Sequence, residues 1–263
     1  MSTYSKEHLL FLKKRKRKKL IIIISQLTLL IGIILFWQIS SDLNLINNFL
    51  FSSPKKVIKL IIELRKIDLL EHIKITTYET IISFLIASII GLAIATLLWL
   101  NDTLAKILDP YLTVINSLPK VALGPLIIIW VGASTKSIIV MALMISLIIS
   151  IINIYNSFTN TDENYITLLK SMKATKWQIY KKIILPGNKQ NIINTLKINI
   201  SMSLIGVIMG ELLVSKKGLG YLIMYGSQVF NITLTIASIT ILAFLSYILY
   251  YIINKIEKIL IKN

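Results

Sequence analysis

Six apolar blocks of roughly membrane-crossing length divide the chain, at residues 20–39, 77–98, 111–131, 137–154, 192–214 and 232–253. A helix crossing the hydrocarbon core takes about 20 apolar residues at ~1.5 Å each, so each block predicts a membrane-spanning helix. The third is interrupted by Pro119, Lys120, Gly124 and Pro125. Proline removes a backbone donor, and a broken helix at membrane depth is tolerated only against protein or a water-filled cavity. Between the first two blocks, Ser52-Ser53-Pro54 reads as a helix start. Val57, Leu60, Ile61 and Leu64 then recur at helical spacing, which predicts a surface-lying or bundle-covering helix.

The segment between the fourth and fifth blocks is polar, yet it also carries helical periodicity. Tyr165, Leu168, Leu169 and Met172 share one apolar face, preceded by Asn160, Thr161 and Asp162, all good N-cap types. Thr175 followed by Gln178 fits a capping box. A second short helix should start there, with Trp177, Tyr180 and Ile184 on one face, and end at Leu185-Pro186-Gly187. A loop this elaborate predicts a helix–turn–helix built to dock against something in water.

Composition agrees with the block pattern. The chain has 263 residues, is 55% hydrophobic and has a mean hydropathy of +0.75, which places it among all-α integral membrane proteins. Ile, Lys and Asn are abundant throughout, so block length decides and Ile content does not. The first block exceeds a signal-peptide core and no small-residue cleavage site follows, so it is expected to stay as an anchor. Cysteine is absent and the histidines are His8 and His72. Thiolate metal sites and most hydrolytic chemistry are thereby excluded, and neither a cofactor nor a catalytic residue is expected.

Charge sets the expected orientation. Residues 1–19 form a basic arm containing Lys6, Lys13, Lys14, Arg15, Lys16, Arg17, Lys18 and Lys19, which predicts a cytoplasmic N-terminus. Residues 20–263 make up the transmembrane domain. Six crossings return the C-terminus and the 159–190 segment to the same side, and both are lysine-rich. The outer side carries fewer basic residues, among them Lys55, Lys56, Arg65, Lys66, Lys216 and Lys217. The net charge of +17 then reads as juxtamembrane pairing with anionic lipid, not nucleic-acid binding.

Several positions stand out inside the blocks. Ser83, Ala87, Gly91 and Ala95 place small side chains on one face of the second span, and Gly206 and Gly210 do so in the fifth. Such faces let helices approach closely, within one chain or between subunits. Lys120 beside the third-span break is costly in lipid and predicts protein, a wet path or snorkelling around it. Asn194, Asn199, Ser201 and Ser203 make half of the fifth span polar, which fits either a lined path or interhelical hydrogen bonds. Glu211 lies near the outer end of that span, by a glycine-rich loop at 218–220, as an interfacial carboxylate paired with Lys216 or Lys217, or as a gate. Asp109 before Pro110 reads as a helix start, and Trp37, Trp99 and Tyr247–Tyr251 as interfacial aromatics.

The chain resembles the permease subunits of binding-protein-dependent ABC transporters. Their cytoplasmic signature is Glu-Ala-Ala, three residues, Gly, nine residues, Ile, one residue, Leu-Pro. Counting back from Pro186 finds Leu185, Ile183, Lys173 at the Gly place and Thr167-Leu168-Leu169 at the Glu-Ala-Ala place. The spacing fits, while Lys173 and the Thr167-Leu168-Leu169 triplet depart from it. Leu108-Asp109-Pro110, the run from Ser117 to Ala122, Gly124-Pro125-Leu126 and Trp130-Val131-Gly132 resemble the nitrate, sulfonate and taurine branch. So do Gly210-Glu211-Leu212-Leu213 and the run from Gly218 to Ile223.

The resemblance implies a six-transmembrane-helix permease bundle of the MetI-like type with cytoplasmic coupling helices. It implies two ABC ATPase subunits, a second permease subunit as a homodimer, and an extracytoplasmic solute-binding protein. ATPase coupling would fall to Thr167, Leu168, Leu169, Met172, Lys173, Ala174, Ile183, Leu185 and Pro186. Pro119, Lys120, Gly124, Pro125, Asn199, Ser203 and Glu211 are the candidates for the translocation path or gate. The chain has no Gly-x-x-x-x-Gly-Lys-Ser/Thr phosphate loop, so energy must come from another subunit. The expected solute is a nitrate-, sulfonate- or taurine-like anion, or a pyrimidine-type vitamin precursor. An ion-gradient-driven secondary transporter is the alternative; it usually needs intramembrane carboxylates or histidines, and Lys120 and Glu211 are the candidates read from the spans. A membrane enzyme is disfavoured by the missing paired carboxylates.

Overall fold

The computed structural model describes residues 6–64 and 68–261, with side chains from 10 to 259. The side chains of Lys6 and His8, and residues Arg65, Lys66 and Lys262, therefore lie outside the described set. Every regular element among the described residues is helical, and the chain divides into two compact units at Glu63 and Leu64.

The first unit holds α1 (Lys6–Asp42), α2 (Asn48–Phe51) and α3 (Pro54–Leu64). From Lys6 onward the basic arm and the first apolar block form one uninterrupted helix. At ~1.5 Å per residue, its 37 residues extend for about 55 Å, well beyond the hydrocarbon core. The α3 helix starts where Ser52-Ser53-Pro54 predicted it, with the Lys56 N–H reaching Ser53 Oγ at 3.3 Å. Its Lys55 N–H donates to Gln38 Oε1 at 3.0 Å, which fixes α3 to the end of α1. Val57 is buried and Leu60, Ile61 and Leu64 are half-buried, as their spacing predicts.

The second unit runs α4 (Leu69–Leu100), α5 (Asp102–Ser117), a 3-10 turn (Lys120–Leu123), α6 (Gly124–Val131), α7 (Thr135–Thr159), α8 (Glu163–Ser171) and α9 (Lys176–Ile179). A π-helical turn (Tyr180–Ile184), α10 (Leu185–Gly187), α11 (Lys189–Val214), α12 (Leu219–Gln228) and α13 (Ile232–Ile261) complete it. Across the described residues, five helices are long and apolar enough to cross a membrane. The pair 102–117 and 120–131 is apolar enough only when taken together and is bent by 87°, the geometry of a broken span or a re-entrant loop.

The α7 helix sits between α4 and α11, and small residues set the approach. A Cβ on Gly91 would lie 2.6 Å from Ser150 Oγ. One on Gly206 would lie 2.4 Å from Ala142 Cα, and one on Gly210 2.9 Å from Ile138 Cα. Ser83, Ala87, Gly91 and Ala95 are all buried, so both small faces serve packing within the chain.

Three expectations are corrected. Asp109 does not start a helix: α5 begins seven residues earlier, where Asn101 Oδ1 accepts the Leu104 N–H at 3.1 Å, and Pro110 lies inside it. Residues 218–220 are not a free loop, because Gly218 at φ +112° caps a ten-residue helix, α12. Trp99 is 9% exposed and packed among Ile154, Phe158 and Tyr180, not at an interface.

Candidate functional site

One end of the second unit carries the 159–189 segment. Asp162 Oδ1 accepts the Asn164 N–H at 2.9 Å and starts α8. The helix ends in a pair of reversed hydrogen bonds, Lys173 N–H to Lys170 O at 2.9 Å and Ala174 N–H to Leu169 O at 3.0 Å. This is the Schellman arrangement, whose turning residue takes left-handed backbone. Lys173 occupies it at φ +61° without being glycine, so the elbow keeps its shape despite the departure from the family signature. Ala174 and Leu169 pack against the same buried cluster, as the motif favours. Thr175 and Gln178 then form the predicted capping box.

The two faces of this elbow differ in what they meet. Ile179, Tyr180 and Ile184 are buried against Ala95 and Trp99 of α4 and Ile154 and Phe158 of α7, while Leu169, Ala174, Ile183 and Leu185 pack on the rim. The Tyr180 and Thr96 hydroxyls hydrogen-bond at 2.7 Å. Lys176 pairs with Asp102 at 2.9 Å and lies 5.9 Å from the Trp99 ring centroid. The outward ridge is apolar: Tyr165 and Leu168 are each 58% exposed, Met172 70% and Trp177 57%. The expected single face of α8 therefore splits, with Leu169 turned inward and Tyr165, Leu168 and Met172 outward. Thr167, Lys173 and Pro186 are exposed.

Pro186 does not end the helical run. The π turn lets the Leu185 N–H bond to Tyr180 O, and the chain stays helical past the proline, which cannot donate. Asn188 then joins α10 to α11, accepting from Ser157 Oγ at 2.7 Å and donating to Thr161 Oγ1 at 2.8 Å. Sequence reading missed Asn188, since an Asn after Pro-Gly looks like an ordinary turn residue.

The opposite end holds a buried carboxyl. Glu211 is 1% exposed; it accepts from Thr76 Oγ1 at 2.7 Å and from the Gly220 N–H at 2.6 Å. Thr76 in turn accepts the Leu219 N–H at 2.8 Å, and His72 Nδ1 accepts the Gly218 N–H at 2.9 Å. The glycines are needed: a Cβ on Gly218 would fall 2.3 Å from Glu211 Cδ, and one on Gly220 2.7 Å from its Cβ. Lys217 pairs with Glu71, whose hydrogen bond and charge push the Lys217 ammonium above its ordinary value. Glu211 thus bonds to α4 and α12, and the expected pairing with Lys216 or Lys217 gives way to these contacts.

Beside it lies Glu79, also 1% exposed, neighbouring Glu211 and Thr135. Both of its carboxyl oxygens are buried from solvent. Glu79 also contributes to the lining of a cavity of about 480 Å³ between α4, the 133–135 turn and the end of α11. Sequence reading passed over it although it stands inside the second apolar block, where a lone carboxylate is itself a signal.

The remaining path candidates do not gather at one place. Lys120 bends back to Asn116, donating to its carbonyl at 2.9 Å and its Oδ1 at 3.2 Å, beside exposed Pro119 and Pro125. Gly124 is buried, and a Cβ there would lie 2.7 Å from Leu213 Cδ1. Asn199 and Ser203 are fully buried, Asn199 donating to Ser88 Oγ of α4 at 2.7 Å. Among the described residues, no group of three or more His, Cys, Asp or Glu is placed to hold a metal ion.

Comparison with known proteins gives this geometry its context. Residues 82–262 match the model of the binding-protein-dependent transport system inner membrane component family. A probable ABC transporter permease protein of Haemophilus influenzae is 28% identical over 227 residues, 86% of this chain and 92% of that one. The formylaminopyrimidine transport permease ThiX of Halalkalibacterium halodurans is 25% identical, covering 87% and 91%. A putative aliphatic sulfonates transport permease of Bacillus subtilis, SsuC, is 26% identical, covering 88% and 84%. Among solved structures, an inward-facing MetNI methionine ABC transporter aligns with a TM-score of 0.64 at 20% identity, over 72% of this chain and 94% of that one.

Proposed function

The chain belongs to the binding-protein-dependent transport system inner membrane components, and from that membership we propose that it is the permease subunit of an ATP-driven importer of a small solute. It is a multi-pass membrane protein whose relatives are transport permeases. On this reading the ATP is hydrolysed by two separate ATPase subunits and a second permease copy completes the path. A solute-binding protein delivers the solute to the end that carries Glu211. The basic arm lies in the cytoplasm with both termini, and the 159–189 segment meets the ATPases.

The observation that carries the reading is the outward ridge of Tyr165, Leu168 and Met172 on a segment whose other face is anchored to α4 and α7. A short helix presenting an apolar ridge fits a groove on a partner. Because the inward face is fixed by Tyr180, Trp99 and Phe158, displacement of the ridge moves the ends of two spans together. The names of the relatives favour a nitrate-, sulfonate- or taurine-like anion or a pyrimidine-type precursor as solute.

The test is the assembled transporter carrying Leu168→Asp. The ridge is solvent-exposed in the subunit, so folding should survive while ATPase co-purification and ATP-driven uptake fall at least tenfold. Unchanged uptake would remove the ridge from coupling. The buried pair Glu79 and Glu211 is the kind of group an ion-gradient carrier uses, so uptake is also measured with ATP depleted and the ion gradient intact. Persistence under that condition favours the gradient-driven alternative.

A further inference from the structure

We infer that Asn188 is the positioning residue that makes α7 and α11 follow the 159–189 segment as one body. This rests on the reading that the segment meets the ATPase subunits, and it adds how a load taken there reaches two spans at once. Asn188 stands at the N-cap of α11, where an asparagine ordinarily turns its oxygen onto the free N–H groups of its own first turn. Here the side chain makes no such bond. It is 5% exposed, and its two N–H groups and two oxygen lone pairs are all engaged elsewhere. Oδ1 accepts from Ser157 Oγ of α7 at 2.7 Å and from Asn191 Nδ2 of α11 at 3.3 Å. Nδ2 donates to Thr161 Oγ1, just past the end of α7, at 2.8 Å and to the Ile184 carbonyl of the π turn at 2.9 Å.

These contacts hold as a set. The Ile184 carbonyl can only accept, so it fixes which way the amide faces. The Thr161 hydroxyl donates to the Ser157 carbonyl at 3.5 Å, which frees its lone pairs for Asn188. The other attachments of the segment differ in kind or in target. Ile179, Tyr180 and Ile184 meet α4 and α7 by apolar packing, which is non-directional and lets one surface slide on another. The polar contacts of Tyr180 with Thr96 and of Lys176 with Asp102 run to α4 and α5. At Asn188, directional bonds from one buried side chain reach the π turn, α7 and α11 together. A load on the ridge therefore moves the inner ends of α7 and α11 without changing their separation.

The test uses the purified transporter with its ATPase subunits, spin-labelled through Asn156→Cys on α7 and Asn194→Cys on α11. Both positions are exposed, and the chain has no cysteine of its own to take up label. Distances are recorded without nucleotide and with ATP trapped by vanadate. Wild type Asn188 is expected to keep one separation in both states. Asn188→Ala should match it without nucleotide, then shift or split by about 2 Å or more on trapping, the scale of helix displacements in switching proteins. Thr161→Val keeps shape and removes a single partner, so it should shift less, in the same direction, and it stands in if the alanine variant misfolds. A separation that changes with Asn188 intact, or one that stays fixed in the variants, overturns the inference. So does a variant distance already altered without nucleotide, which a purely structural role would give. A transporter that traps no nucleotide removes the importer reading itself, whereas trapped nucleotide with unmoved labels in the variants removes the role of Asn188 alone.

Discussion

The hydroxyls of Tyr180 and Thr96 hydrogen-bond at 2.7 Å, joining the 159–189 segment to the interior of α4. Around this bond the Tyr180 ring meets Phe158 edge-on at 5.7 Å and stacks on Trp177 at 5.3 Å. Removing the ring should therefore cost about 3–5 kcal/mol of stability, and removing the hydroxyl alone about 1 kcal/mol. Unfolding of Tyr180→Ala and Tyr180→Phe in detergent measures both. If the two variants unfold alike, the aromatic packing is not what seats the segment.

The elbow offers a gain. Lys173 holds left-handed backbone, which costs a non-glycine residue about 1–2 kcal/mol. Glycine releases that strain but gives back about 0.5–1 kcal/mol through its freer unfolded chain. Lys173→Gly should thus be neutral to about 1.5 kcal/mol stabilising, whereas Lys173→Val should destabilise. A thermal melt of the two variants against wild type decides it, and a valine that melts no lower would contradict the strained turn.

Span packing predicts a contrast between two glycines. A Cβ on Gly206 would strike the backbone of α7 at Ala142, while one on Gly187 meets nothing within 4 Å. Backbone cannot rotate away, so Gly206→Ala should cost about 1–3 kcal/mol and reduce the folded yield. Gly187→Ala should be close to neutral. Size-exclusion profiles of the two purified variants provide the comparison, and equal profiles would mean that α11 can shift off α7 freely.

Lys217 and Glu71 define a pH response at the opposite end. The Lys217 ammonium is held above its ordinary value by the carboxylate, so the pair's contribution is complete at neutral pH. On the basic side it is lost as pH rises through that raised value, and on the acid side as the Glu71 carboxylate takes up a proton. Both side chains are exposed, so the pair should also weaken with salt. Titrating Lys217 by NMR in wild type and Glu71→Gln checks the sign, and the variant should titrate at lower pH.

Much of the architecture was legible because membrane crossing demands long apolar runs, and a capping box demands Thr and Gln three apart. Residues 54–64 and 175–178 are seen as read. The misreadings have physical causes. Pro186 looks like a boundary, yet the π turn before it absorbs the lost donor, and Pro110 sits in the middle of α5, which continues through it. Trp99 looked interfacial because linear position near a span end says nothing about the aromatic partners that a distant segment brings. Glu79 was hidden by its own block: averaging hydropathy over a span dilutes a single carboxyl within it. The contact of Asn199 with Ser88 was not legible because it joins residues 111 apart in the chain.

The π turn before Pro186 has a mechanical consequence. The Leu185 N–H reaches back to Tyr180, the Asn188 N–H to Ile184 and the Ile192 N–H to Asn188. From Thr175 the backbone is therefore bonded turn on turn up to Asn188, which leaves helical geometry at φ −99° and ψ 10° before α11 resumes at Lys189. Its side chain, held by Ser157 and Thr161, ties that break to the end of α7.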